Sequence, residues 1–154
     1  MNPSRPEATH VAVREGRILG VGPLEELAGW GAHTLDETFA DKVLMPGLVD
    51  THIHAPQWVQ LGTGLDIPLD RWLFEYTFPL EARYADEGFA RQVWSRMVPT
   101  LLRHGTTSAV YYSTIHEAAT TALAEACVEH GQRAFVGRVG MDHPQGTPEW
   151  YRDR

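Results

Sequence analysis

Apolar runs of strand length alternate with amphipathic segments from residue 44 onward. Residues 44–54, 106–113 and 133–141 are rich in apolar and β-branched side chains, which is typical of buried strands. Residues 86–103 repeat an apolar side chain every fourth position behind Asp86, a good helix N-cap, and residues 116–130 form an Ala-rich segment. Strands that alternate with helices predict an α/β fold with a parallel sheet.

The first 43 residues carry a different pattern. Two short alternating stretches at 10–13 and 17–21 flank a turn containing Gly16, which predicts a β-hairpin. Residues 24–30 have the length and pattern of a short helix, and residues 33–43 suggest a further strand. Residues 1–9 are polar and contain proline, so we expect an untethered start. A lone hairpin is marginal in water, and this region should pack on something larger.

The segment at 55–84 follows neither the two-residue period of a strand nor the 3.6-residue period of a helix. It contains several aromatic residues separated by glycines and prolines. A segment of this length inside a domain is often functional, and its aromatic side chains around Trp72 to Phe78 could cover a flat ligand. The equally weighted alternative is a helix-containing insertion that packs on the domain surface.

Composition excludes several classes of protein. Of 154 residues, 43% are hydrophobic and 21% charged, a globular balance. The net charge is −7 without a basic block, so we expect neither nucleic acid nor a membrane surface as partner. The single cysteine, Cys127, excludes an internal disulfide and favours a reducing compartment. Since there is no secretory leader pattern and no 18-residue apolar run, the expected location is cytoplasmic.

The candidate chemistry lies at the end of the first apolar run, in His52 and His54. In a strand these side chains point to the same face, with Cα atoms about 6.5 Å apart, so both imidazoles can reach one metal ion. Neutral imidazole binds zinc and iron alike. The competing interpretation is a pair of solvent-facing or hydrogen-bonded histidines. A catalytic zinc normally has three protein ligands, so two histidines alone leave the site incomplete.

Ligands of α/β folds bind at the carboxyl ends of the strands, which is where this pair lies. Together with the strand order, this predicts the N-terminal portion of a (β/α)8 TIM-type barrel. Such a barrel needs about 250 residues, so we expect an incomplete one.

The sequence resembles the amidohydrolase superfamily, and within it the guanine deaminases. The superfamily motifs are the hairpin residues 15–18 and 20–23 and the segment Met45-Pro46-Gly47-Leu48-Val49-Asp50-Thr51-His52-Ile53-His54. The finer motifs are separated along the chain and agree with one another: residues 54–57, 76–79, 104–107, 114–116, 131–137 and 141–142.

The resemblance implies a metal-bearing barrel from residue 44 to 154, holding its first three β/α units. Residues 1–43 would be a partial β-sandwich, the flanking domain of the family. It also implies that His52 and His54 are the first two zinc ligands and that Gln57 hydrogen-bonds the purine. The reaction would be hydrolytic deamination of guanine to xanthine and ammonia. The remaining ligands and the carboxylate proton shuttle of the family would lie beyond Arg154, in a protein that is a homodimer at full length.

Other polar residues carry weaker predictions. His116 could line the pocket or hydrogen-bond the start of a helix, and Asp50 could orient a ligand imidazole or satisfy backbone donors. His104 and His130 at helix ends should be structural. Tyr111 and Tyr112 should be core.

Two alternatives to the guanine deaminase interpretation remain. One is a sister deaminase or chlorohydrolase of the same superfamily, acting on an aminopurine or triazine-like ring. The other is a non-catalytic remnant or binding module. Because an incomplete barrel exposes a strand edge and apolar faces, we expect the isolated 154 residues to be unstable as a monomer. We also expect them to be inactive, because a two-histidine zinc site lacks its remaining ligands and its base.

Overall fold

The computed structural model describes residues 9–29 and 31–153, so most of the predicted polar start, and Trp30 of the predicted helix, lie outside the described residues. The chain divides between Pro46 and Gly47 into two compact units.

The first unit is built on the predicted hairpin. Strands β1 (His10–Arg14) and β2 (Arg17–Gly22) pair antiparallel. The two turn residues between them, Glu15 and Gly16, have φ of 51° and 73°, the positive values that a tight two-residue hairpin turn requires. Helix α1 (Leu24–Ala28) follows, with Pro23 at its N-cap position. The sequence therefore specified this hairpin through local turn chemistry.

The strand predicted for residues 33–43 is wrong. This segment forms turns: the backbone N–H of Thr38 donates to the Asp36 carboxylate at 2.9 Å, and that of Lys42 donates to the carbonyl of Phe39 at 2.9 Å. Short polar side chains such as Asp offer the backbone a local hydrogen bond that competes with a strand ladder. The turn chemistry of Asp36 thus outweighed the scattered apolar residues around it.

The second unit is a three-stranded parallel sheet with helices between the strands. Its strands are β3 (Leu48–His54), β4 (Thr106–Tyr112) and β5 (Arg133–Gly137), and their order in the sheet is their order in the chain. Helix α4 (Glu87–Arg103) connects β3 to β4, and α5 (Glu117–Glu129) connects β4 to β5. The predicted α/β alternation is confirmed, although β3 starts later and β5 ends earlier than their apolar runs.

The two long helices end as their sequences predict. The Asp86 carboxylate accepts the backbone N–H groups of Gly88 and Phe89, which caps α4. Gly105 and Gly131 follow α4 and α5 with φ of 96° and 70°, values that favour glycine after a helix.

The core lies between the sheet and these helices. Trp94, Met97 and Leu123 are fully buried there, and the Trp94 indole donates to the carbonyl of Ala119 at 3.0 Å. The rings of Tyr84 and Trp94 stack with centroids 4.8 Å apart. This layer therefore satisfies its few polar atoms while burying apolar surface.

Strand β3 differs from the buried strand that its composition predicts. Val49 is 66% exposed and Leu48 50% exposed. Within the described residues β3 pairs with β4 alone, so its other edge has no neighbouring strand. The apolar composition therefore predicted the strand correctly. It did not predict the exposure of the strand, because the described residues provide only one neighbouring strand for it.

The segment at 55–84 is helical except for a loop at residues 61–68. It comprises a 3-10 helix (Ala55–Gln60), α2 (Leu69–Trp72), a π-helical turn (Leu73–Thr77), α3 (Phe78–Ala82) and a 3-10 turn beginning at Arg83. Buried hydrogen bonds tie it down: Gln60 Nε2 to Thr77 Oγ1 at 2.8 Å and the Tyr84 hydroxyl to the carbonyl of Pro56 at 2.9 Å. The helices expected of the second alternative are therefore present, and the covering of a flat ligand by this segment stays a prediction. No helix among residues 9–29 and 31–153 is long and apolar enough to cross a membrane.

Candidate active site

His52 and His54 lie at the carboxyl end of β3, where the chain leaves the sheet for the 3-10 helix Ala55–Gln60. The ring Nε2 atoms of the two histidines are 3.1 Å apart, and the ring centroids are 5.1 Å apart. Both imidazoles therefore present the same nitrogen to one point. This is the convergence that the His-x-His spacing predicts for a strand, and 3.1 Å is also the length of a hydrogen bond between the two rings, as in the competing interpretation.

The donor set can be tested against a metal. Two imidazole nitrogens bound to a tetrahedral zinc at about 2.0–2.1 Å would stand roughly 3.3–3.4 Å apart. The separation in this structure, 3.1 Å, is close to that value. His52 and His54 thus fit two corners of a zinc site. Within the described residues no group of three or more His, Cys, Asp or Glu side chains could hold a metal ion.

Burial lowers the pKa of His54 below its ordinary value, and the neighbouring His52 lowers it further. A lowered pKa favours the neutral imidazole, whose free lone pair is the form that binds a metal. The position of His54 therefore suits it to ligation at neutral pH.

Tyr112 packs against both histidines. Its ring centroid lies 4.7 Å from that of His52 and 5.2 Å from that of His54, nearly parallel to the latter. The prediction that both tyrosines are core holds for Tyr111, which is 1% exposed, and is wrong for Tyr112, which is 38% exposed. The signal was present in the strand register, because Tyr112 is the partner of His54 in the parallel ladder.

Asp50 takes the second of the two roles considered for it. One of its carboxylate oxygens accepts the backbone N–H of His52 at 3.0 Å. This bond holds the chain locally at a point where the register between β3 and β4 shifts. Asp50 therefore satisfies a backbone donor next to the histidine pair.

Gln57 lies on the 3-10 helix three residues after His54. Its amide Nε2 is 3.4 Å from the carboxylate of Glu81, which is buried on α3 and also accepts the Tyr151 hydroxyl at 2.8 Å. Sequence reasoning did not identify Glu81, because nothing in its local pattern indicates burial.

His116 lies at the N-cap position of α5 without capping it through its side chain. Its ring faces Tyr151 edge-on at 6.2 Å, and its Nε2 is buried with no hydrogen-bond partner among the described residues. Burial lowers its pKa. Of the two roles considered, the helix-start hydrogen bond is not made by the side chain. His104 bonds the carbonyl of Thr100 at the end of α4, consistent with a structural role.

Comparison with known proteins places this arrangement in a family. Residues 43–153 match the amidohydrolase family, a span that contains both histidines, Gln57 and Glu81. The chain belongs to the amidohydrolase family. Guanine deaminase from Dictyostelium discoideum is 50% identical over 111 residues, which are 72% of this chain and 24% of that protein.

Two solved amidohydrolase structures resemble the fold. The guanine deaminase of E. coli matches with a TM-score of 0.76 at 30% identity, over 94% of this chain and 33% of that one. The guanine deaminase of C. acetobutylicum, solved with guanine in its active site, gives a TM-score of 0.73 at 28% identity, over 93% and 33%. The amidohydrolase chain described here spans about a quarter to a third of the length of these relatives.

Proposed function

We propose that this chain is part of an enzyme that deaminates guanine hydrolytically to xanthine and ammonia. His52 and His54 supply two ligands to a catalytic metal, zinc or alternatively iron, and Gln57 hydrogen-bonds the purine. The observation that carries the proposal is the convergence of the two Nε2 atoms to 3.1 Å at the carboxyl end of β3. The choice of guanine rests on the names of the relatives, one of which was solved with guanine bound.

The described residues account for part of this chemistry. A bound zinc ion would lower the pKa of water towards 7 and so make hydroxide available at neutral pH. His52 and His54 would hold the ion, and the Tyr112 ring packed against them would restrict their orientation. The Gln57 amide can donate and accept, so it matches the lactam edge of a purine without carrying charge.

The guanine deaminase interpretation also leads us to propose a fold, a substrate and an assembly for the full-length protein. Residues 44–154 would hold the first three β/α units of a (β/α)8 barrel, and residues 1–43 would be a partial β-sandwich. We propose guanine as the small-molecule substrate and a homodimer as the assembly of the full-length protein, meaning the product of the complete reading frame that contains this chain. A cytoplasmic location stays a prediction.

The test is ammonia release from guanine by the full-length protein, after removal of metal and reloading with zinc or iron. We expect turnover of guanine, loss of activity on chelation and recovery with metal. His52→Ala should weaken metal binding at least about tenfold, because one of the ligands is removed. The matched control is His33→Ala, which alters an exposed histidine of the first unit.

Turnover of another aminopurine or of a triazine, with none of guanine, would contradict the substrate. Metal binding unchanged in His52→Ala would contradict the ligand assignment. The 154-residue chain alone should release no ammonia, because its described residues contain no three-ligand metal group.

A further inference from the structure

Glu81 is a buried carboxyl group that the proposed function does not use. It is 3% exposed and lies on α3 in the insertion that follows β3. A buried carboxyl is unfavourable unless its oxygens are hydrogen-bonded. The two described donors are both neutral: the Tyr151 hydroxyl at 2.8 Å on one oxygen and the Gln57 amide at 3.4 Å on the other.

The surroundings of Glu81 join the ends of two strands. Gln57 and Glu81 belong to the segment after β3, whereas Tyr151 belongs to a 3-10 helix (Glu149–Tyr151) after β5. The rings of Phe78 and Tyr151 pack with centroids 5.5 Å apart. Since carboxyl ends of parallel strands meet at one edge of a sheet, this contact lies on the same side as the histidine pair. Glu81 is thus held by packing as well as by its hydrogen bonds.

The contact with Glu81 sets the direction of the Gln57 amide. The NH2 group of Gln57 is the end of the amide that faces Glu81, and a carboxyl oxygen of Glu81 accepts its hydrogen bond. The amide oxygen Oε1 then points away, and it makes no hydrogen bond to another described residue. The 3.4 Å separation is at the long end for a hydrogen bond, and such contacts often tighten once a ligand is bound.

We propose that Glu81 is a positioning residue that holds the Gln57 amide with its oxygen towards the ligand, so that the site accepts an N–H group of the substrate at this point. The inference rests on the proposed function, because it specifies what Gln57 presents to the purine. The Gln57 oxygen would then bind a ring or amino N–H group of the substrate. It would not bind a ring nitrogen that carries no hydrogen.

The test compares six variants of the metal-loaded full-length protein, one of which combines Glu81→Gln with Gln57→Ala. Glu81→Gln removes the charge while keeping the shape, Gln57→Ala removes the amide, and Gln57→Glu places two carboxyl groups face to face. The double variant Gln57→Glu with Glu81→Gln exchanges the two groups and restores one amide beside one carboxylate. Glu75→Gln is the matched control, because Glu75 is an exposed partner of Arg71 in the same insertion.

For guanine we expect Glu81→Gln to raise KM by about threefold to tenfold with kcat nearly unchanged, since one oriented ground-state hydrogen bond is lost. Gln57→Glu should raise KM more, and the exchanged double variant should recover at least half of that increase on a logarithmic scale. Combining Glu81→Gln with Gln57→Ala should be no worse than Gln57→Ala alone, because both act through one amide. Additive effects, a harmless Gln57→Glu or no recovery in the exchanged variant would overturn the inference.

A second readout does not depend on turnover. The side-chain ¹⁵N–¹H signals of Gln57, assigned by their absence in Gln57→Ala, should shift in Glu81→Gln and stay in place in Glu75→Gln. Signals that do not respond to Glu81→Gln would overturn the inference. If guanine is not turned over at all, the proposed function is overturned, and these amide signals alone decide whether Glu81 orients Gln57.

Discussion

The helix-covered side of the sheet and the carboxyl ends of its strands bury side chains in opposite ways. Between the helices and the sheet, Trp94, Met97 and Leu123 are fully buried, and the one indole N–H has its acceptor. At the strand ends the buried groups are polar. Glu81 accepts hydrogen bonds from two neutral donors, and the Nε2 of His116 has no hydrogen-bond partner among the described residues. The first region therefore gains stability from burial, whereas the second accepts unfavourable burial of titratable groups.

The difference indicates where the chain is built to be stable and where it is built to bind. Apolar groups packed at crystal-like density contribute to stability without directional requirements. Polar groups held away from water are costly unless paired, and they recur at sites that recognise ligands. Three substitutions test this contrast, and all are measured on the full-length protein.

The largest effect is expected in the helix layer. Trp94→Ala should lower the free energy of unfolding by about 3–5 kcal/mol, because it leaves a cavity under Tyr84 and removes a satisfied indole. Denaturant unfolding followed by circular dichroism measures the loss. Trp150→Ala, at a site 61% exposed, is the matched control and should change stability little. Equal losses in the two variants would remove the energetic distinction between core and surface.

A smaller effect is expected at the amino end of the sheet. A Cβ atom at Gly47 would overlap the side chain of Thr107, whose β-branched rotamer has little freedom to move. Gly47→Ala should therefore cost about 1–3 kcal/mol of stability through overpacking. Gly140→Ala meets no atom within 4 Å and serves as the control. A neutral Gly47→Ala would show that the start of β3 adapts more readily than close packing allows.

The smallest effect concerns pH at the strand ends. Burial raises the pKa of Glu81 above its ordinary value of 4.5, and hydrogen bonds from Tyr151 and Gln57 oppose this shift. A raised folded-state pKa means that the stability from protonated Glu81 is complete below 4.5 and is lost as pH rises through the folded pKa. The stability of the wild-type protein relative to Glu81→Gln should therefore fall as pH rises above 4.5.

Unfolding free energies of both proteins between about pH 4 and 8 measure this difference. The lowered pKa of His116 has the opposite sign, with stability lost as pH falls below 6.5, but it is common to both proteins and cancels. A relative stability that rises with pH would mean that the folded state prefers ionised Glu81.

Much of the second unit followed from sequence because its signals are local. Asp86 caps α4 through its own side chain, and glycines end both long helices with positive φ, so short-range chemistry determines these boundaries. The histidine pair was equally readable, since period-two alternation within β3 brings both rings to one face.

The parts that sequence did not predict depend on contacts between distant segments. Glu81 is buried by Tyr151, seventy residues away, and Tyr112 meets the histidines only through the register of two parallel strands. The strand predicted at 33–43 failed because Asp36 satisfied the backbone locally. Long-range packing has no periodicity of its own, and a single sequence carries no direct record of it.

The sequential order of the three parallel strands bears on how the chain assembles during synthesis. When β4 and then β5 emerge from the ribosome, the strand that each pairs with on one side has already been made. Pairing can then proceed from the amino terminus without waiting for a distant segment, and each crossover helix closes a loop of modest length. Among the described residues, the outer edges of both β3 and β5 have no neighbouring strand. Until a further segment pairs with them, these two edges are where we expect a chaperone to contact the nascent sheet.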